Sequence, residues 1–144
     1  MKQKILLVDG HSIIFDWPDL AAMHARNTAA AREELVKRLT GLQDNTEWTV
    51  AVVFDGKGVK ASSDGTPHGI AVFYSKSGQT ADSIIERLAA KYTKDHEVTV
   101  ATNDRLERTT AEAFGSNTIS GMQLRAEMES ALDSVRDTIR RLRR

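Results

Sequence analysis

Two stretches of this chain run in the same way. Ile5-Leu6-Leu7-Val8 is a short unbroken apolar run that stops at Asp9-Gly10, and Thr49-Val50-Ala51-Val52-Val53-Phe54 repeats the pattern and stops at Asp55-Gly56. A strand with one wet face alternates polar and apolar positions, so continuous apolar runs of this length read as strands buried on both faces. Two further runs fit the same description, Ile70-Ala71-Val72-Phe73-Tyr74 and Val98-Thr99-Val100-Ala101-Thr102, the second leading into Asn103-Asp104. Strands buried on both faces need helices on both sides. The chain is thereby restricted to an α/β sandwich on a mostly parallel sheet.

The segments between the strands supply the helices. From Thr28 to about Leu42, the residues Ala31, Leu35, Leu39 and Leu42 follow the spacing of one helix face, and Asn27 or Thr28 is placed to cap the start. Thr80 caps a second helix with the stripe Ile84, Ile85, Leu88, Ala89 and Tyr92. A third is expected from Arg105 to Phe114, stopped by Gly115. Ser120 with Gln123 three residues on has capping-box spacing, which predicts a last helix over about 121–143. Its stripe Leu124, Met128, Leu132, Val135, Ile139 and Leu142 is expected to pack on the sheet or to form a dimer seam, so the chain is read as a monomer or weak homodimer. Trp17-Pro18 is expected to pin a loop after the first strand, and the glycine-rich segment 56–69 to be a mobile loop.

At 144 residues the chain is the size of a single domain, 1–144. No cysteine is present, which excludes disulfides, thiolate metal sites and cysteine nucleophiles, and leaves oxygen or imidazole to hold any metal. The first apolar run is too short for a signal-peptide core or a membrane span, so a cytoplasmic protein without membrane contact is expected. Acidic and basic residues balance at 20 each, so no global positive field draws in a nucleic acid and a local patch must do so.

Parallel α/β sheets bind ligands beyond the carboxyl ends of their strands, where loops open and helix N-termini present free N–H groups. Asp9, Asp55 and Asp104 fall at that edge. Asp82 reaches it from the first turn of the Thr80 helix, and Glu86 stands one turn further on. Carboxylates drawn so close repel one another unless a cation lies among them. Oxygen ligands suit Mg2+ or Mn2+, which also activates water against a phosphate ester. Each acid has a plain structural reading as well. Asp-Gly after a strand is a turn signal, Asp82 favours a helix dipole, and Asp104 suits an N-cap.

The blocks Val8-Asp9-Gly10, Trp17-Pro18, Ala31-Arg32-Glu33-Glu34-Leu35, Val53-Phe54-Asp55, Thr80-Ala81-Asp82-Ser83-Ile84-Ile85-Glu86-Arg87, Val100-Ala101-Thr102-Asn103-Asp104-Arg105 and Ile119-Ser120 follow one another in an order and spacing that resembles the YacP-like family of NYN domains. The resemblance implies a PIN-like three-layer α/β/α sandwich with 4–5 strands and a metal-dependent endoribonuclease. It also implies messenger RNA as substrate and the ribosome as a partner. Carried over by position, Asp9, Asp82 and Asp104 look like the catalytic, metal-binding acids, with Asp55 and Glu86 as further ligands. The family usually has Asn where Ser12 stands and Ser where Asn103 stands. Ser12 still offers a hydroxyl to a phosphate. Ser12, Arg32, Lys57, Lys60, Asn103, Arg105 and Arg108 are the expected RNA contacts. The four histidines read as incidental, Trp17 as packing, and the basic end of the last helix as dipole compensation.

The alternative function is a catalytically weak RNA- or ribosome-binding module on the same scaffold. A phosphatase of the haloacid-dehalogenase type is disfavoured because Asp9-Gly10-His11 lacks a second Asp, and a dinucleotide-binding fold because no G-x-G-x-x-G follows the first strand.

Overall fold

The computed structural model describes residues 2–56, 69–76 and 78–143. The expected loop 56–69, apart from its two end residues, lies outside them, as do Lys57 and Lys60. The described residues form five strands and six helices in the order β1 (Lys4–Asp9), α1 (Gly10–Asp16), α2 (Pro18–Arg26), α3 (Thr28–Asn45), β2 (Trp48–Asp55), β3 (Ala71–Ser75), α4 (Ala81–Tyr92), β4 (Glu97–Ala101), α5 (Arg105–Ala113), β5 (Asn117–Ile119) and α6 (Gly121–Leu142). The strands make one parallel sheet in the order β3-β2-β1-β4-β5.

Alternate residues of each strand point to opposite faces, and both faces are covered. Leu6, Val8, Val50, Val52 and Phe54 face a core completed by Ile13, Ile14, Leu20, Leu35, Leu39 and Leu124 of α1, α2, α3 and α6. Leu7, Val53, Val98 and Val100 face a smaller core closed by Ala81, Ile85 and Ala89 of α4 and Ala111 of α5. This is the three-layer arrangement, and it explains the unbroken apolar runs.

The helix starts follow the sequence. Asn27 caps α3 through the N–H of Ala30, Thr80 caps α4 in a reciprocal box with Ser83, and Ser120 caps α6 in a reciprocal box with Gln123. Gly115 follows α5 at φ +94°, a conformation that L side chains resist.

Two expectations need correction. The segment after β1 is two helices, α1 and α2, broken between Trp17 and Pro18, where proline at the first helical position starts α2. Trp17 does pack as expected, at 1% exposure with its indole N–H donating to the Gly121 carbonyl at 3.0 Å. A fifth strand, β5, joins the four runs seen in the sequence by pairing with β4, within the 4–5 strands expected. Finally, α6 buries only the start of its stripe. Leu124 is buried and Met128 packs against the core, but Leu132, Ile139 and Leu142 are 49%, 47% and 79% exposed, because the described body offers nothing beyond α3 for the end of α6 to pack on.

No described helix is long and apolar enough to cross a membrane.

Candidate functional site

The chain leaves β1 for β2 on one side and later returns to lay β4 on the other side of β1. Strand order therefore reverses between β1 and β4, and the crevice beyond their carboxyl ends is where such sheets bind ligands. Three carboxylates meet there. One oxygen each from Asp9, Asp82 and Glu107 lies within 4.8 Å of the others.

Asp9 ends β1 and caps α1, accepting the N–H of Ser12 at 3.3 Å. The next residue could not be larger than glycine, for a Cβ on Gly10 would stand 2.3 Å from the Phe54 ring. Asp9-Gly10 is thus a strand-to-helix junction pressed against β2. Asp82 sits in the first turn of α4, and that helix end is tied down by Asp55, whose Oδ1 accepts the Ala81 N–H at 2.8 Å and faces the Ser75 hydroxyl at 3.3 Å. Glu107 comes from the first turn of α5, which Asp104 caps by accepting the N–H groups of Leu106 at 2.9 Å and Glu107 at 3.2 Å.

Asp9 is 6% exposed and Glu107 is 3% exposed. Burial raises both pKa values from their ordinary carboxylate values. For Asp9 the Glu107 and Ser12 hydrogen bonds oppose that rise, while the charge of Asp82 adds to it. For Glu107, burial together with hydrogen bonds to Asp82 and Asp9 pushes the value up to about 11. The group therefore keeps a proton that solvated acids would have lost. Glu107 Oε1 is buried with no hydrogen-bond partner among the described residues. An oxygen desolvated and left unpaired is costly, and a hard dication would satisfy it while replacing the retained proton. The all-oxygen donor set fits Mg2+ or Mn2+ better than a softer metal.

Thr102, fully buried, is the hub beneath these acids. Its hydroxyl lies 3.2 Å from Asp9 Oδ2, 3.4 Å from Glu107 Oε2 and 3.4 Å from Ser12 Oγ, and accepts the Asp104 N–H at 3.1 Å. A threonine has one hydroxyl hydrogen, so it serves one of the three acceptors at a time.

The remaining expected residues fall around this centre. Asp55 and Asp104 are at the same edge but hold helix starts, and neither they nor Glu86, one turn beyond Asp82, belongs to the group of three. Ser12 Oγ accepts the Asn103 N–H at 2.7 Å, and Asn103 Oδ1 accepts the Gly121 N–H at 2.9 Å, so both tie the end of β4 to its neighbours. Arg32 donates to the Asp55 carbonyl at 2.6 Å, lies 3.1 Å from His11 Nε2, and has its guanidinium over the Phe54 and Tyr74 rings. Arg108 leans toward β5, its Nε 3.4 Å from Thr118 Oγ1, and Arg105 is exposed at the start of α5. Glu107 and Thr102 are the members the sequence reading missed.

Fold and site together define an α/β protein with an acidic, desolvated pocket at a topological switch point. The YacP-like NYN domain model matches residues 6–144, and the chain belongs to that family. It is 32% identical to the protein YacP of Bacillus subtilis over 140 residues, which cover 96% of this chain and 82% of that protein. The crystal structure of Rae1 (YacP) from Bacillus subtilis superposes with a TM-score of 0.80 at 33% identity, covering 96% of this chain and 80% of that one. A mutant form of the same protein gives a TM-score of 0.81 at 29% identity, covering 96% and 82%. NYN domains are PIN-like nuclease domains, and membership supports an RNase-type function with RNA as substrate.

Proposed function

We propose that this chain is a divalent-metal-dependent endoribonuclease that hydrolyses RNA phosphodiester bonds, with messenger RNA on the ribosome as its substrate in the cytoplasm. The single observation that supports it most is the convergence of Asp9, Asp82 and Glu107 on one buried point at the β1/β4 switch. In this reading Asp9, Asp82 and Glu107 hold Mg2+ or Mn2+, which supplies Lewis acidity toward the phosphate and lowers the pKa of the attacking water.

The chain's own residues do the rest. Asp55 fixes the start of α4 and so aims Asp82, and Asp104 fixes the start of α5 and so aims Glu107. Both are positioning residues. Thr102 and Ser12 hold Asp9 against the end of β4. Burial keeps bulk water away from the acids, so charge that develops on the phosphate is felt in a medium of low dielectric. Hydrolysis forms one bond from water oxygen to phosphorus and breaks one P–O ester bond, and the leaving oxygen takes up a proton. In the same reading Arg32, Arg105 and Arg108 are the cations that balance the charge of the strand.

The test is a metal titration of RNA cleavage by the wild type and Asp9→Asn, with and without ribosomes. Cleavage should need Mg2+ or Mn2+, rise when ribosomes are present, and fall to background in the variant. A wild type that binds RNA in EDTA and never cuts it would instead establish the binding-module alternative.

A further inference from the structure

We propose that Phe15, flanked by His11 and His24, forms a stacking platform for a nucleobase of the RNA strand beside the acid pocket. This rests on the nuclease reading, since it names how the same site grips its substrate.

Isolated exposed apolar side chains are ordinary. Phe15 is 59% exposed, and what distinguishes it is its company and its place. It stands four residues after His11, on the same face of α1. The His11 and Phe15 ring centroids are 6.0 Å apart, and His24 of α2 meets Phe15 at 4.9 Å and His11 at 6.2 Å, at steep interplanar angles of 63° and 69°. Three rings from two helices thus support one another, with Phe15 turned to solvent.

The strip begins at the site itself. Asp9 caps α1, and a helix rises about 1.5 Å per residue, so His11 lies roughly 3 Å and Phe15 roughly 9 Å along the axis from the acid. His11 also touches Arg32, whose planar cation lies over two further rings and donates to the backbone of Asp55. Cation and rings make a continuous path from the pocket's rim down α1.

Charge says why such a path is needed. The pocket is acidic and the chain carries no net charge, so no general field holds a polyanion. Stacking on aromatic rings holds a single strand without relying on charge and tolerates any sequence, because every base has a π-face. Trp17, the more obvious aromatic in the sequence, is buried and cannot serve.

The experiment measures affinity of the full chain for a short fluorescein-labelled single-stranded RNA of mixed sequence in EDTA, and the KM for cleavage of the same RNA in Mg2+. Phe15→Ala should weaken binding and raise KM about tenfold, with kcat changing far less, and Phe15→Trp should restore both. On a strand carrying abasic sugars, the difference between wild type and Phe15→Ala should vanish. The proposal is overturned if Phe15→Ala keeps wild-type affinity and KM, or if its loss is as large on the abasic strand. The nuclease reading is judged separately, by cleavage in Asp9→Asn: loss of cutting there with an unaffected Phe15→Ala removes the platform alone. Wild-type cutting by Asp9→Asn removes the nuclease assignment, whatever Phe15 does.

Discussion

The carboxylates at the carboxyl edge of the sheet fall into an inner and an outer set. Asp9 and Glu107 are buried among themselves and Asp82, and Glu107 has an oxygen with no partner among the described residues. Asp55 and Asp104 are exposed, and each spends its carboxylate on backbone N–H groups at the start of a helix. The inner set is desolvated and keeps a proton that solvated acids would lose, and the outer set holds the helices that deliver it. A carboxylate's position at the sheet edge therefore does not settle its task. Its partners do.

The largest effect should come from testing that division directly. Glu107→Gln keeps the size and removes the charge, and RNA cleavage should drop to background at any metal concentration. Asp104→Ser keeps a good N-cap and removes the carboxylate, so it should cost only about 10–100-fold in apparent metal affinity and be recovered by added Mg2+. Asp55→Asn, which retains an oxygen for the Ala81 N–H, should behave alike. If Asp104→Ser were as dead as Glu107→Gln, Asp104 would be a ligand after all, as the family resemblance implies, and the two sets would merge.

A smaller effect should appear in stability. The folded pKa of Glu107 is raised from 4.5 to about 11 and that of Asp9 is raised from 3.8, with burial the first cause of each. Folded chain without metal therefore retains protons that the unfolded chain releases. Stability is complete below the unfolded values and is lost as pH climbs from about 4.5 toward the folded ones, by up to about 1.4 kcal/mol per pH unit for each proton retained. In EDTA, the melting temperature should fall between about pH 5 and about pH 8, and Glu107→Gln should flatten that slope. A wild-type melting temperature that is level across this range would mean that the inner acids do not share a desolvated pocket.

The sequence showed both acids of the outer set and, of the inner set, Asp9 and Asp82 but not Glu107. Apolar runs stopping at aspartate placed β1, β2 and the edge correctly, and cap spacing placed α4 and α6, because burial on both faces and N-cap chemistry are local properties. Glu107 was hidden for a local reason too. Asp104-Arg105-Leu106-Glu107 has the spacing of a capping box, in which the glutamate reaches back to the N-cap N–H. In the fold that N–H goes to Thr102 and the glutamate is free to enter the pocket. Burial in α5 is also inverted, with Leu106 75% exposed and Glu107 3% exposed, so hydrophobic periodicity points the wrong way. The α1 and α2 helices are too short to show a period, β5 is three residues long, and the end of the α6 stripe has the spacing of a buried seam but is exposed among the described residues.

Glu86 gives the smallest expected effect and the finest test. Sequence spacing puts it on the Asp82 face of α4, one turn on, and makes it a fifth candidate ligand. One helical turn is about 5.4 Å of rise, and α4 runs away from the carboxyl edge as it crosses β1, β2 and β4. Each turn along α4 thus moves a side chain back from the crevice, and only the first turn stays at the rim. Glu86→Gln should leave the metal concentration for half-maximal cleavage within about twofold of wild type, against the 10–100-fold expected of a residue supporting a ligand. A larger shift would extend the inner set along α4, and would show that proximity to the helix start is not what admits an acid to the pocket.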